Sequence, residues 1–244
     1  MTPSMDVSEK TCPCGKSYDS PFTKCPDCLS ASCAPATEAA EAIKKQEARS
    51  KLVNAWTALC PASYRHTDWT RPGLSPVCQY HAKTWWPDWK AEANGLCLRG
   101  TSGLGKTRAM FDILRRLHFA GIGVAHVDAT AFAAAVSNRY DDHHQTKWDA
   151  RNLITRCHNV RILLFDDLGK EPATRAVASA LHDLLDVRVR ERRPLLWTTE
   201  RTGADIANYL GDHYADGIVR RLRGASQIFD VSLPLPETPT IPNP

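Results

Sequence analysis

No stretch of this 244-residue chain comes near eighteen consecutive apolar residues, which excludes a bilayer span by one apolar helix. The opening "MTPSMDVSEK" has no basic cluster followed by an apolar core, so no signal peptide is expected. Neither sign of charge dominates. The net charge of +4 is too small to argue for nucleic acid by bulk attraction, though it is compatible with it. No segment repeats at a fixed period. The nine cysteines do not form the even framework of a small secreted protein. Five crowd into residues 12–33 and four are scattered, a distribution that fits a reducing cytoplasm. What remains is a globular composition, 43% hydrophobic and 24% charged. The length allows one ordinary domain and a small module.

The order of segments is informative. Residues 11–33 are rich in Cys, Pro and Ser and poor in core formers. Ala36 to Leu59 reads as a helix rich in Ala, Glu and Lys, with Thr37 as a cap. "VCQYHAKTWWPDWKAEAN" reads as a helix interrupted or restarted at Pro87. After Asn94, short apolar runs at 95–100, 123–129, 160–167, 193–200 and 226–233 alternate with helical stretches near 106–120, 130–157, 173–191 and 203–223. That alternation predicts an α/β fold, a mostly parallel sheet with helices on both faces. The divisions are a module at 1–35, a linker helix at 36–60, a main domain at 61–233 and a Pro-rich disordered tail at 234–244.

"GTSGLGKT", Gly100 to Thr107, fits G-x-x-x-x-G-K-[ST] at every position. Gly100, Gly103 and Gly105 let the backbone fold tightly, so that N–H groups along Thr101, Ser102 and Leu104 can face phosphate oxygens. Lys106 adds a charge for the outer phosphates, and Thr107 offers a hydroxyl to Mg²⁺. "RILLFDDLGK" then supplies a second apolar strand ending in Asp166 and Asp167. Two adjacent carboxylates at the end of a buried strand need a positive partner. Mg²⁺ on ATP, held by Asp166, is one, and Lys106 is another. Asp167 stands where many such ATPases have a glutamate that polarises the attacking water, with an arm one methylene shorter.

"CPCGKSYDSPFTKCPDC" brings Cys12, Cys14, Cys25 and Cys28 to the spacing of a tetrahedral Zn²⁺ site. The first pair is one residue tighter than usual, which keeps Cys33 open as a substitute ligand. So small a segment has almost no core, and a metal would supply its folding energy. Cys78 with His81 also has ligand-like spacing, without a second pair; Cys97 reads as core.

The block from about Pro61 to Leu233 resembles the DnaC/DnaI-type helicase loaders and the related IstB-type transposition helpers within the AAA+ ATPases. The resemblance is carried by "CPASYRHTDW", "GTSGLGKTR", "LLFDDLGKE", "LLDVRVRERRPLLWTTE" and "GIVRRLRGASQIFDV", in this order. It implies a five-stranded sheet of order 5-1-4-3-2 with a minimal or absent lid. It implies an arginine finger at Arg221, with Arg220 and Arg223 as rivals. The strand "RPLLWTTE" takes the sensor-1 place, where the family's Asn is replaced by Glu200, leaving Thr199 as the polar contact. Asp-Asp is common in this family where other AAA+ proteins carry Asp-Glu.

The resemblance further implies a protein of the cytoplasm that binds Mg²⁺ and ATP, self-associates, grips single-stranded DNA and delivers a DnaB-type replicative helicase, with slow hydrolysis as a reset. Zinc-bearing amino-terminal domains occur in some loaders. Tyr64 either borders the adenine or packs in the core. Trp85, Trp86 and Trp89 are helix packing or a stacking platform. Arg139, Lys147 and Arg151, beside His143 and His144, are cations available to DNA in residues 130–157. A transposition helper that binds duplex DNA, or a nucleotide-gated adaptor that does not hydrolyse, are the alternative readings.

Overall fold

The computed structural model describes residues 10–18, 23–66, 74–92, 94–211 and 214–232. The tail at 234–244, expected to be disordered, lies outside them. The side chains of Cys33, Trp86 and Trp89 are likewise outside what is described. The chain divides into two compact units, Met1–Asn54 and Ala55–Pro244.

In the first unit, β1 (Lys10–Thr11) pairs antiparallel with β2 (Ser17–Tyr18). The turn between them closes with the Gly15 N–H donating to Cys12 O at 2.8 Å. Helix α1 (Pro26–Leu59) begins ten residues before the expected Ala36, directly after Cys25. Proline is well suited to that first helical position, since its missing N–H would have had no helical partner.

The second unit begins within the last turn of α1 and continues through a 3₁₀ turn (Ala62–Tyr64) to α2 (Pro76–Glu92). Helix α2 runs through Pro87 without the predicted interruption. The alternating part follows: β3 (Gly95–Arg99), α3 (Lys106–Phe119), β4 (Val124–Asp128), α4 (Ala129–Asn138), α5 (His144–Asn159), β5 (Ile162–Leu168), α6 (Arg175–Arg190), β6 (Leu195–Thr199), α7 (Gly203–Leu210), α8 (Ala215–Gly224) and β7 (Ser226–Asp230). All five strands are parallel, in the order β7-β3-β6-β5-β4. Counted along this domain, that is 5-1-4-3-2, as the resemblance implies.

Two predicted helices are each divided. The stretch 130–157 breaks between α4 and α5, where Asp141 Oδ1 accepts the His143 N–H at 2.7 Å and turns the chain. The stretch 203–223 breaks at Gly211, whose φ of 74° ends α7.

The apolar run of β5 is buried on both faces because successive side chains alternate. Leu163 and Phe165 join Phe132, Leu181 and Trp197 on one side of the sheet. Ile162 and Leu164 join Phe111, Leu114 and Trp85 on the other. The parallel strands therefore end together at one edge. That edge carries the loop after β3, the two aspartates of β5 and the end of β6.

Candidate nucleotide site and cysteine cluster

Gly105 caps α3 in the left-handed conformation, φ 83°, so the chain can leave the loop and enter the helix within one residue. This starts α3 at Lys106 and Thr107. Lys106 is buried, at 6% exposure, and its Nζ donates to Gly100 O and Thr101 O, both at 2.8 Å. Its charge is thus met by carbonyl dipoles and by no carboxylate among the described residues. A buried ammonium balanced only by carbonyls fits the approach of an anion. The Leu104 carbonyl accepts from Ser75 N–H and Cys78 Sγ, each at 3.3 Å, which fixes the outer side of the loop.

Asp166 faces this helix start. Thr107 Oγ1 donates to Asp166 Oδ1 at 3.0 Å, and Thr198 Oγ1 donates to the same oxygen at 2.5 Å. Burial pushes the Asp166 carboxyl above its ordinary range, and the charge of Asp167 adds to this; the two hydroxyls oppose it. Asp167 is left-handed, with φ 59°, and its N–H donates to Thr198 Oγ1 at 2.9 Å. The register of β5 on β6 shifts at this point, between Phe165 and Leu168. The two carboxylates thereby diverge, Asp166 toward Thr107 and Asp167 into the cleft.

That cleft has a volume of about 390 Å³ and is lined by Ser102, Gly103, Gly105, Lys106, Thr107 and Asp167 from the sequence prediction. Tyr64 also lines it and is stacked on Phe111 at 4.8 Å, as the packing reading expects. Arg108, Lys170 and Glu200 complete the lining. Sequence reasoning missed Arg108 and Lys170; a cation one residue past the motif, and another in the turn after β5, were the available signals.

Two predicted residues stand elsewhere. The Thr199 hydroxyl is buried and donates to Leu168 O at 2.7 Å, and it accepts the Arg201 N–H at 3.1 Å. The hydroxyl that reaches the acidic pair belongs to Thr198, one residue earlier. Arg221 lines a separate cleft of about 360 Å³ with Arg188, Arg192 and Arg193. Its Nη2 and Nε donate to Asp186 Oδ1 at 2.6 and 3.1 Å, and Nη1 donates to Gly217 O at 3.1 Å.

In the other unit, Cys12, Cys14, Cys25 and Cys28 place four sulfurs within 4.8 Å of one another. The Cys14–Cys25 sulfur separation is 3.6 Å. A tetrahedral Zn²⁺ with bonds of ~2.3 Å spaces its sulfurs by ~3.8 Å, so the donor set fits that metal. Backbone N–H groups of Cys14 and Cys25 draw the Cys12 thiol down to about 6, while hydrogen bonding within the cluster, first from Cys14, pushes Cys28 up to about 12. Cys78 and His81 form no such group. Cys78 Sγ donates to Leu104 O in the loop after β3, and His81 stacks on Phe229 at 3.8 Å.

Residues 84–233 match the model of the IstB-like ATP binding protein family. The chain belongs to this family. The chain shares its fold with solved replication factors. A structure of DnaI is 21% identical with a TM-score of 0.57, over 72% of this chain and 93% of that one. The DnaC helicase loader is 19% identical with a TM-score of 0.56, over 69% and 98%. The replication initiator DnaA bound to AMPPCP and single-stranded DNA is 16% identical with a TM-score of 0.51, over 67% and 51%. No curated protein sequence matches. This IstB-like chain has the AAA+ fold, and among its described residues no helix is long and apolar enough to cross a membrane.

Proposed function

We propose that this IstB-like protein is an ATP-dependent loader of a DnaB-type replicative helicase. The observation that carries the nucleotide part is the convergence of Lys106, Thr107 and Asp166 at the edge where the parallel strands end. Lys106 and the loop N–H groups would hold the phosphates of ATP, and Thr107 with Asp166 would hold Mg²⁺. Mg²⁺ held there would neutralise phosphate charge and offset the cost of the buried Asp166 carboxylate. Asp167 would orient the attacking water as a short-armed base. Arg221 would serve the site of a neighbouring copy, since it lines a different cleft from Lys106 of its own chain.

The loader part is supported by the fold shared with DnaI and the DnaC helicase loader over nearly their whole solved length. The four-cysteine cluster, as a Zn²⁺ knuckle at the head of α1, suits a partner-binding module. Single-stranded DNA would run along α4 and α5. There Tyr140 and Trp148 are exposed at 70% and 56%, beside Arg139, Lys147 and Arg151, and the sequence pattern had not singled out these aromatics. Exposed aromatics among cations are the elements of a stacking surface for unpaired bases.

The alternative within the family is a transposition helper. Capture of a DnaB-type helicase by the full chain, with ATP and with ADP, tests the choice. Helicase retained with ATP, together with preference for single-stranded over duplex DNA, is the result expected. Duplex preference without helicase capture would overturn the loader reading in favour of the helper.

A further inference from the structure

Glu200 is the lining residue least suited to a phosphate site, because a carboxylate beside an anionic ligand repels it. Its surroundings resolve the conflict. Glu200 Oε1 lies 3.1 Å from Lys170 Nζ, and the same ammonium lies 3.0 Å from Asp167 Oδ2. All three residues line the cleft with Lys106 and Thr107. Lys170 therefore joins the two carboxylates of the cleft that have no role as a metal ligand.

The arm is held only by exposed ion pairs, and its base is fixed. The Lys170 side chain is 48% exposed, and its partners are 35% and 38% exposed. Pairs at such exposure contribute about 0–1 kcal/mol, so the ammonium leaves them at little cost. The backbone beneath is held at several points. Lys170 N–H donates to Asp167 O at 3.1 Å, and Arg201 Nε donates to Gly169 O at 2.9 Å. A side chain at Gly169, where φ is 98°, would run into Arg201 Cδ at 2.5 Å, so that contact depends on glycine. The turn after β5 and the residues after β6 thus form one frame, from which a four-carbon arm reaches into the cleft.

We infer that Lys170 is the group by which this chain distinguishes a nucleoside triphosphate from a diphosphate, and that Glu200 is its counter-ion when no terminal phosphate is present. The inference rests on the Mg²⁺-ATP reading of the cleft. A terminal phosphate carries more charge than either carboxylate and presents three oxygens, so it draws the ammonium away from Glu200 and Asp167. Asp167 then loses its cation when the terminal phosphate arrives, and recovers it when that phosphate is gone. In this account the carboxylate at the end of β6 parks a lysine that takes over the recognition otherwise given to a neutral polar residue at that place.

Equilibrium binding of Mg²⁺-ADP and of a non-hydrolysable Mg²⁺-ATP analogue to the full chain tests this. Lys170→Met should weaken the analogue by about tenfold, the scale of one charged hydrogen bond, and leave ADP within about twofold. Lys170→Arg should keep most of the preference for the analogue. Glu200→Gln, which releases the lysine, should tighten the analogue alone. Equal losses for both nucleotides in Lys170→Met, or an unchanged ratio, would overturn the inference. Lys106→Ala is measured in parallel. If it loses both nucleotides while Lys170→Met keeps the original ratio, the phosphate site stands and this inference falls. If Lys106→Ala binds both normally, the cleft is not a phosphate site and both readings fall.

Discussion

Thr198 and Asp167 are joined through one hydroxyl: its oxygen accepts the Asp167 N–H at 2.9 Å while its hydrogen goes to Asp166 Oδ1 at 2.5 Å. A single side chain of β6 thus sets the backbone of one carboxylate and the charge of the other.

Burial makes Asp166 expensive to keep ionised without a metal, although that hydrogen bond favours the charged form. Its carboxyl is raised, chiefly by burial. The native state therefore holds a proton that the unfolded chain has released, and nucleotide-free stability falls as pH rises from the ordinary carboxylate value through the raised one. Asp166→Asn can still accept both hydroxyls at Oδ1. It should melt higher than the parent at pH 8, by roughly 2–4 °C per kcal/mol. The gain should shrink as pH falls toward 4, and Mg²⁺-dependent ATP binding should be lost. Thermal melts across pH, with and without Mg²⁺-ATP, check all three.

Asp167→Asn retains the left-handed backbone, which Asn adopts readily, and the bond from its N–H to Thr198. It should bind ATP normally and lose turnover by about 10²-fold or more, the usual contribution of a positioned base. Single-turnover hydrolysis beside equilibrium binding measures the two separately. Unaltered hydrolysis would reduce Asp167 to a turn former.

Arg221 makes a fork to Asp186 within its own chain. Arg221→Ala should bind ATP almost normally but hydrolyse it roughly 10³-fold more slowly, if its guanidinium acts on a neighbour's phosphate. Mixing it with Lys106→Ala should restore part of the activity, because the second variant still offers an intact Arg221 to an intact loop. A titration at fixed total protein reads this out. Activity that never exceeds the sum of the separate variants, in mixtures shown to co-assemble, excludes action between copies. Rescue with Arg220→Ala or Arg223→Ala alone would move the role to one of those residues.

The cysteine cluster should carry about one Zn²⁺ per chain. Cys25→Ser with Cys28→Ser should release it and unfold the β1–β2 turn while leaving Mg²⁺-ATP binding intact. Elemental analysis of protein purified under reducing conditions decides, and absence of zinc there excludes the knuckle.

Arg188 is a stability residue that the sequence pattern concealed. It is 1% exposed and donates to four carbonyls, those of Cys157, Val160, Arg161 and Pro194, tying the end of α5 to the starts of β5 and β6. Burial draws its guanidinium down to about 9, still charged at neutral pH. Arg188→Ala should cost about 3–5 kcal/mol, because carbonyls are left unpaired in the interior. Arg188→Lys should recover little of this, since one ammonium cannot span the fork. Denaturant unfolding of both variants tests the claim.

Much of this was legible in the sequence for a physical reason. The glycine-rich loop and the β5 aspartates are local patterns, contained within eight and two residues. Strands β3, β4, β5 and β6 were legible because mostly buried apolar runs differ sharply from amphipathic helices; β7 is only part-buried. What stayed hidden depends on direction. Thr198 and Thr199 are equivalent letters until the register shift beside Asp167 decides which hydroxyl faces the acidic pair. Lys170 is an ordinary turn lysine until the ends of β5 and β6 bring Glu200 beside it. The break between α4 and α5 depends on a side-chain bond from Asp141 that no periodicity records.

The left-handed backbone at Asp167 also limits how this protein can change. One base separates an aspartate codon from a glutamate codon, so the longer carboxylate is always a single mutation away. But φ 59° favours Asp, Asn and Gly over longer side chains. A Glu here would press the turn to straighten, and straightening would pull the N–H away from Thr198 and move the base of Lys170. The short arm is thus coupled to the whole strand end, and lengthening it would need several coordinated substitutions.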